Sequence, residues 1–330
     1  MNFSIKLFFT VNFLFSAFIL NAQRSLADSL FHPDSLRHIV EELSADSMKG
    51  RFSGTIENLK AAHFIKTEFE KTGLKPIAGN NGFYMEIKPG LYNVVAAMQG
   101  RSKPGQVVIF SAHYDHVGTS STNPYPEINS SSRPLKANDT IFNGANDNAS
   151  GVCAVISLAR YFRALNNNER TLIFVAFTGE ELGLLGSQAL ADAFQPDSIV
   201  AMINIEMIGR NETNRSRPYI TGDEYSDIRK ILNMNYRTYA DKPEKEYFKY
   251  DPYFQSSLFS RSDNYSFAAK GVPAHSIMLT PPNDKFYHHP SDEAGTLNYD
   301  FMKNIIKGIA YGATGIVKGT DTPMRIKKIR

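Results

Sequence analysis

The chain has 330 residues, 42% of them hydrophobic, and a net charge of +3. That length and apolar content support a large buried core, while the small charge, dispersed apart from a basic tail at Arg325 to Arg330, excludes the basic footprint of a nucleic-acid binder. The single cysteine, Cys153, lies in an apolar helical stretch, so an internal disulfide is excluded and a small core residue is expected.

Lys6 precedes a mostly apolar run from Leu7 to Leu20, too short for a comfortable bilayer span, and Asn21-Ala22-Gln23 follows as a cleavage region. The expectation is a signal peptide over 1–22 and one domain over 23–330, exported to the periplasm or secreted, with no stable membrane span after signal removal. A segment of helical character comes next, then loop-like Ser44 to Gly54. From Thr55 the residues Leu59, Ala62, Ile65 and Phe69 recur at near-helical spacing until Gly73 stops the helix.

Asn93 to Met98 and Val107 to Ala112 read as two strands joined by a turn at Gly100 to Gly105. His113-Tyr114-Asp115 leaves the second strand. A metal-binding histidine needs an acceptor to fix its ring, and Asp115 stands two residues away. His116 reads as a neighbour, because an extended chain points it to the opposite side. Residues 119 to 142 are rich in Ser, Asn, Thr and Pro and read as a loop shaping the substrate pocket.

Asn143 to Gly151, NGANDNASG, leads into the apolar series Val152, Val155, Leu158, Ala159 and Phe162 of a helix. It reads either as a capped turn or, in the company of other ligand types, as the setting for Asp147, a carboxylate with two oxygens able to bridge two cations. Leu172 to Phe177 suits a strand buried on both faces. After Thr178-Gly179 come Glu180 and Glu181, where open α/β sheets place ligands. Helix N-terminal charge is the competing reading of these two glutamates.

A helix is expected from about Leu184 to Phe194, then a strand from Ile199 to Ile205 reaching Glu206. A helix carries Ile228, Ile231 and Leu232 on one face. An apolar stretch at Ala274 to Leu279 leads into the loop Thr280 to Asp292 with Tyr287, His288 and His289, and a final helix spans about Asn298 to Val317. His32, His38, His63 and His275 have no convergent partners in the pattern.

His113, Asp147, Glu181, Glu206 and His288 form a mixed imidazole and carboxylate set that suits zinc, with cobalt or manganese as substitutes. The motifs His113-Tyr114-Asp115, Gly144 to Gly151, Gly179-Glu180-Glu181-Leu182-Gly183, Asn204-Ile205-Glu206-Met207 and Tyr287-His288-His289-Pro290 resemble, in order, those of the M28 family of zinc exopeptidases. The likeness runs from about residue 40 to the C-terminus, and Ser262-Asp263-Asn264 also resembles a family feature.

The resemblance implies an α/β three-layer sandwich, a mostly parallel mixed sheet flanked by helices, and a peptide substrate. It implies two zinc ions bridged by Asp147, one completed by His113 and Glu206 and the other by Glu181 and His288. Glu180 is then the general base, Asp115 supports His113, and Tyr287 either donates to the developing oxyanion or packs beside it. Two departures stand out. Glu206 replaces a common aspartate, which keeps the ligand, shifts its metal or weakens the site. Asn146 and Asn148 flank Asp147 where many relatives carry more acid, which reduces cation affinity. Aminopeptidase activity leads. A carboxypeptidase using Arg210 or Arg261 for a substrate carboxylate, a one-zinc glutaminyl cyclase-like acyl transferase and a non-catalytic binding module are the alternatives.

Overall fold

Alternate side chains of the central strands enter opposite apolar layers, as the two-residue period of a strand requires. The computed structural model describes residues 20–122 except 78 and 81, 139–327 except 212 and 214, and residue 329. Its strands are β1 (Tyr84–Lys88), β2 (Leu91–Met98), β3 (Lys103–His113), β4 (Arg170–Phe177), β5 (Ile199–Glu206), β6 (Tyr219–Ile220), β7 (Lys249–Tyr250) and β8 (Ala274–Met278). Val108, Phe110 and Ala112 of β3 face one cluster, Val107 and Ile109 the other.

These strands form one sheet in the order β1-β2-β4-β3-β5-β8-β6-β7. The middle four, β4, β3, β5 and β8, run parallel, and β1 and β2 add an antiparallel edge. This is the expected mixed, mostly parallel sheet. The turn at Gly100 to Gly105 does not make a hairpin, however. β2 pairs with β4, and β3 lies on the far side of β4, so the sequence-local turn joins strands that are not neighbours.

The helices are α1 (Pro33–Leu43), α2 (Ile56–Thr72), α3 (Ser150–Leu165), α4 (Leu185–Ala193), α5 (Ile228–Tyr239), α6 (Asn264–Ala268), α7 (Tyr299–Gly312) and α8 (Thr314–Val317). Residues of α1, α2, α3, α5, α7 and α8 share the larger cluster, and those of α4 and α6 the smaller one on the opposite face. Local chemistry sets the ends of α2: the Thr55 side chain accepts from Asn58 N, and Gly73 adopts φ 73° at the C-terminus. The final helix is interrupted at Ala313 rather than continuous. Cys153 is buried in α3, as expected. The expected signal peptide falls almost wholly on residues outside those described. Residues 20–30 are helical, and Ala27 and Phe31 pack into the larger cluster. Among the described residues, no helix is long and apolar enough to cross a membrane.

The parallel strands bring His113, the 178–181 turn, Glu206 and the 280–292 loop to one edge of the sheet, the carboxyl edge where α/β sheets bind ligands. The loops there are tied by Arg51, which is fully buried. Its guanidinium donates to the carbonyls of Leu43, Tyr114, Asn143 and Gly144. One side chain thus holds the end of α1, the segment after β3 and the segment before α3. Burial lowers the Arg51 pKa to about 10 against the pull of Asp292, Asp147, Asp115 and Glu181, so it stays charged. Replacing Arg51 with Met leaves these carbonyls buried without their donor and their nearby carboxylates without a cation. We expect Arg51→Met to cost about 3–5 kcal/mol in urea unfolding, and a variant as stable as the parent would show that the loops are held by other contacts.

Candidate metal centre

All five sequence-predicted ligand positions meet. His113 Nε2 lies 3.3 Å from Asp147 Oδ1 and 3.3 Å from Glu206 Oε2. His288 Nε2 lies 3.2 Å from Asp147 Oδ2 and 3.2 Å from Glu181 Oε1. Asp147 therefore turns one oxygen to each histidine, between two donor groups. Glu206 reaches the site despite the extra methylene: its Oε2 also accepts from the Ser262 hydroxyl at 2.9 Å.

Asp115 supports His113, but through its backbone carbonyl, which stands 3.1 Å from His113 Nδ1. The Asp115 carboxylate stands 3.7 Å from the same ring nitrogen and has a second task. It accepts from the amides of Glu180 at 3.2 Å and Glu181 at 3.3 Å and from Ser53 Oγ at 2.8 Å. Ser53 Oγ in turn accepts from Gly179 N at 3.0 Å. The turn carrying both glutamates is thus fixed to the segment carrying His113.

Asp147 is fixed by its own backbone. Asp292 accepts from the amides of Asn146 at 2.9 Å and Asp147 at 3.1 Å, and Arg210 donates to Asp292 at 2.6 Å. The flanking asparagines are structural clamps. Asn146 donates to Thr280 Oγ1 and accepts from Gly209 N. Asn148 donates to the Ile205 carbonyl and accepts from the amides of Gly151 and Met207. A carboxylate accepts but does not donate, so acids at these positions would lose half of each clamp.

The charges divide the two adjacent glutamates. Burial raises the Glu180 carboxyl, His113 pulls it down, and Glu181, Asp263 and Glu206 push it up again, leaving it well above the usual range. Burial also raises Glu181, but the nearby His288 ring and the hydrogen bond from His116 hold it at about 2. Asp147 lies well below its usual value because His113 and His288 outweigh its burial. Burial lifts Asp263 to about 7, helped by Asp115 and Glu206 against the pull of His113. Both histidines are raised well above normal, since the surrounding carboxylates outweigh burial.

Such a set fits divalent cations. Glu206 Oε1 and His288 Nε2 are buried without a hydrogen-bond partner among the described residues, although His288 Nε2 sits within 3.2 Å of two carboxylate oxygens. Donor atoms that converge without bonding one another are what a metal requires, and imidazole with carboxylate suits zinc.

A cavity opens on this edge, lined by His113, Asp147, Glu180, Glu181, Glu206 and Tyr287. Tyr287 stacks on His288 with ring centroids 3.9 Å apart, and burial next to Asp147 and Glu181 keeps its hydroxyl protonated far above neutrality. Arg261 is exposed on the cavity wall. Arg210, by contrast, is engaged by Asp284 and Asp292.

Sequence reasoning missed three contributors. His116 was expected to point away. The strand ends at His113, however, and in the irregular segment that follows His116 turns its Nδ1 to 3.0 Å from Glu181 Oε1. Arg51 and Asp292 carried no recognisable signal. The pocket loop expected over 119–142 is seen only at its base, where Thr119 bridges Ile141; residues 123–138 lie outside those described. His275, as expected, is apart from the site, bonded to Ser226 and the Thr221 carbonyl.

Comparison with known proteins follows the same lines. A probable zinc metalloprotease of Phaeosphaeria nodorum is 32% identical over 132 residues, covering 38% of this chain and 26% of that protein. The chain spans about a quarter to a half of the length of such curated relatives. The Escherichia coli protein YfbL is 26% identical over 302 residues, covering 84% of this chain and 86% of that one. Among solved structures, the LapA aminopeptidase of Legionella pneumophila superposes with TM-score 0.68 at 19% identity, over 90% of this chain and 75% of that one. The zinc aminopeptidase BSAP of Bacillus subtilis does so with TM-score 0.66 at 14% identity, over 88% and 97%. These likenesses establish the sandwich fold, and residues 93–313 match Peptidase family M28. With the family's ordered motifs gathered at one sheet edge, the chain belongs to peptidase family M28.

Proposed function

We propose that the chain is an exported aminopeptidase that hydrolyses N-terminal peptide bonds with two zinc ions, held by His113 and Glu206 on one side and Glu181 and His288 on the other, with Asp147 between them. The observation that carries this reading is the division of the Asp147 oxygens between two histidines. Bound zinc would supply a water acidic enough to ionise near neutrality and would polarise the substrate carbonyl. The export component rests on the apolar run Leu7 to Leu20 alone.

The protein's own side chains divide the remaining work. Glu180 lines the cavity, and its raised pKa suits a carboxylate that takes a proton at an oxygen and returns it to the leaving amine. Glu181 is held ionised and does not exchange a proton near neutrality. Tyr287 keeps a neutral hydroxyl at the cavity wall, a donor for the developing oxyanion. Glutaminyl cyclases of this fold, such as that of Porphyromonas gingivalis with TM-score 0.62 at 16% identity, keep acyl transfer in view as the alternative chemistry.

Three outcomes test the reading. Glu180→Gln is expected to lower kcat on aminoacyl chromogenic substrates by about 10²–10⁴-fold while zinc content by elemental analysis stays at two per chain. Undiminished turnover removes Glu180 from its role, and pyroglutamate formation with a single zinc reassigns the chemistry. A carboxypeptidase reading draws on Arg261 at the cavity wall. Under the aminopeptidase reading, peptides blocked at the C-terminus are cleaved and those blocked at the N-terminus are not, and Arg261→Ala changes kcat/KM for free-carboxylate peptides by about fivefold at most; the opposite blocking pattern supports the carboxypeptidase.

The third outcome concerns pH. Histidine ligates as the neutral ring, and His113 and His288 have raised pKa values in the metal-free protein. Protons therefore compete with the cation, and zinc affinity falls as pH drops and rises with pH until those rings lose their protons. Calorimetry in buffers of different ionisation enthalpy should record proton release on zinc binding at pH 7. Binding without proton release would show that neither histidine is displaced from its proton.

A further inference from the structure

His116 lies outside the expected ligand set, yet its ring is buried and its Nδ1 stands 3.0 Å from Glu181 Oε1 and 3.8 Å from Asp147 Oδ2. His288 Nε2 is 3.2 Å from each of the same two oxygens. Four ligands at zinc distances of about 2.0–2.2 Å in a tetrahedron lie about 3.3–3.6 Å apart. The separations here match that figure to within a few tenths of an ångström, and one donor atom from each of His116, Asp147, Glu181 and His288 lies within 4.8 Å of the others.

The seat for this ring is built into the backbone. Gly144 adopts φ 58°, and a Cβ there would stand 2.5 Å from His116 Cγ and Cδ2. The ring then packs against that of His288 in a T-shaped arrangement, with centroids 5.4 Å apart at 72°. The two groups of donors also differ in access. The cavity is lined by His113, Glu206 and Glu180 and by the shared carboxylates Asp147 and Glu181, whereas the His116 and His288 rings are not part of its lining.

We propose that His116 is a further protein ligand, making the His116, Asp147, Glu181 and His288 group a closed site of two imidazoles and two carboxylates, while the His113 and Glu206 side is the open site that faces substrate. Four protein ligands are the count of a zinc site that retains its ion, and three or fewer that of one that keeps a position for water. The inner site therefore holds zinc tightly, and the outer site, richer in oxygen, exchanges its ion and accepts harder cations such as manganese. This assignment rests on the two-cation reading above.

The test is chelator challenge of the zinc-loaded full chain, with zinc per chain measured by elemental analysis after dialysis. The wild type is expected to lose one ion readily and retain the second. His116→Gln is expected to bind the retained ion about 100-fold more weakly, so that both ions leave together, with folding checked by circular dichroism. Glu206→Gln supplies the complementary arm: it should abolish the readily lost ion and keep the retained one. Release of both ions in a single step from the wild type overturns the proposal, as does a folded His116→Gln chain that retains one ion as tightly as its parent. A wild-type chain that binds no zinc overturns the two-cation reading itself.

Discussion

The fold is organised around keeping the two oxygens of one buried carboxylate, Asp147, facing two different histidines. An unpaired buried charge is costly, and here each oxygen of the carboxylate has a histidine of its own. The main chain that carries it is pinned as well. The amides of Asn146 and Asp147 both point at the Asp292 carboxylate, and Arg210 holds Asp292 in place. Asn146 and Asn148 tie the same loop to the end of β5, which brings Glu206 to the site. Arg51 fastens the other end of the loop through the Asn143 and Gly144 carbonyls. Four elements distant in sequence thus share one rigid joint.

That joint makes adjacent residues behave differently. Glu180 and Glu181 share a turn, a backbone anchor at Asp115 and almost the same burial, yet their proton affinities move in opposite directions. The cause is which histidines each one faces. Glu181 lies against His116 and His288 and is held ionised, whereas Glu180 shares its surroundings with Asp263 and Glu206 and is pushed towards its neutral form. Pushing apart the proton affinities of neighbouring carboxyls is how one fold assigns one to binding and another to proton transfer. The backbone that positions the glutamates is common to both; the electrostatic division comes from side chains carried mainly by the loops around them, His116, His288 and Asp263, with Glu206 from the end of β5.

Much of this was legible in the sequence. The runs in β3, β4 and β5 are apolar because parallel strands are covered on both faces, and residues that punctuate their carboxyl ends are the ones that converge. Pairing was less legible, since the Gly100 to Gly105 turn is a local signal and the partnership of β2 with β4 is not. His116 was misread because strand alternation was extended past His113, where the ladder ends. Arg51 sits in a loop-like, polar segment and becomes significant only when its partners at Leu43, Tyr114, Asn143 and Gly144 are brought around it. Asn146 and Asn148 were read as missing acids. Their value lies in donating and accepting at once, a property visible in the residue type but meaningless until the facing backbone is known.

The same constraint accounts for Glu206. On a strand end packed beside β3 and β8, its longer side chain carries the carboxylate to His113, and Ser262 anchors one of its oxygens. The second oxygen has no hydrogen-bond partner among the described residues. The opposite side of Asp147 is different: its donors are two buried rings packed edge to face and a glutamate clamped by its own amide. One half of the centre thus includes two rings packed on each other, and the other is anchored by the Asp115 carbonyl on His113 and by Ser262 on Glu206. Asp147 stands between these two halves, and its loop is pinned at one end by Arg51 through the Gly144 carbonyl and at its own amide by Asp292.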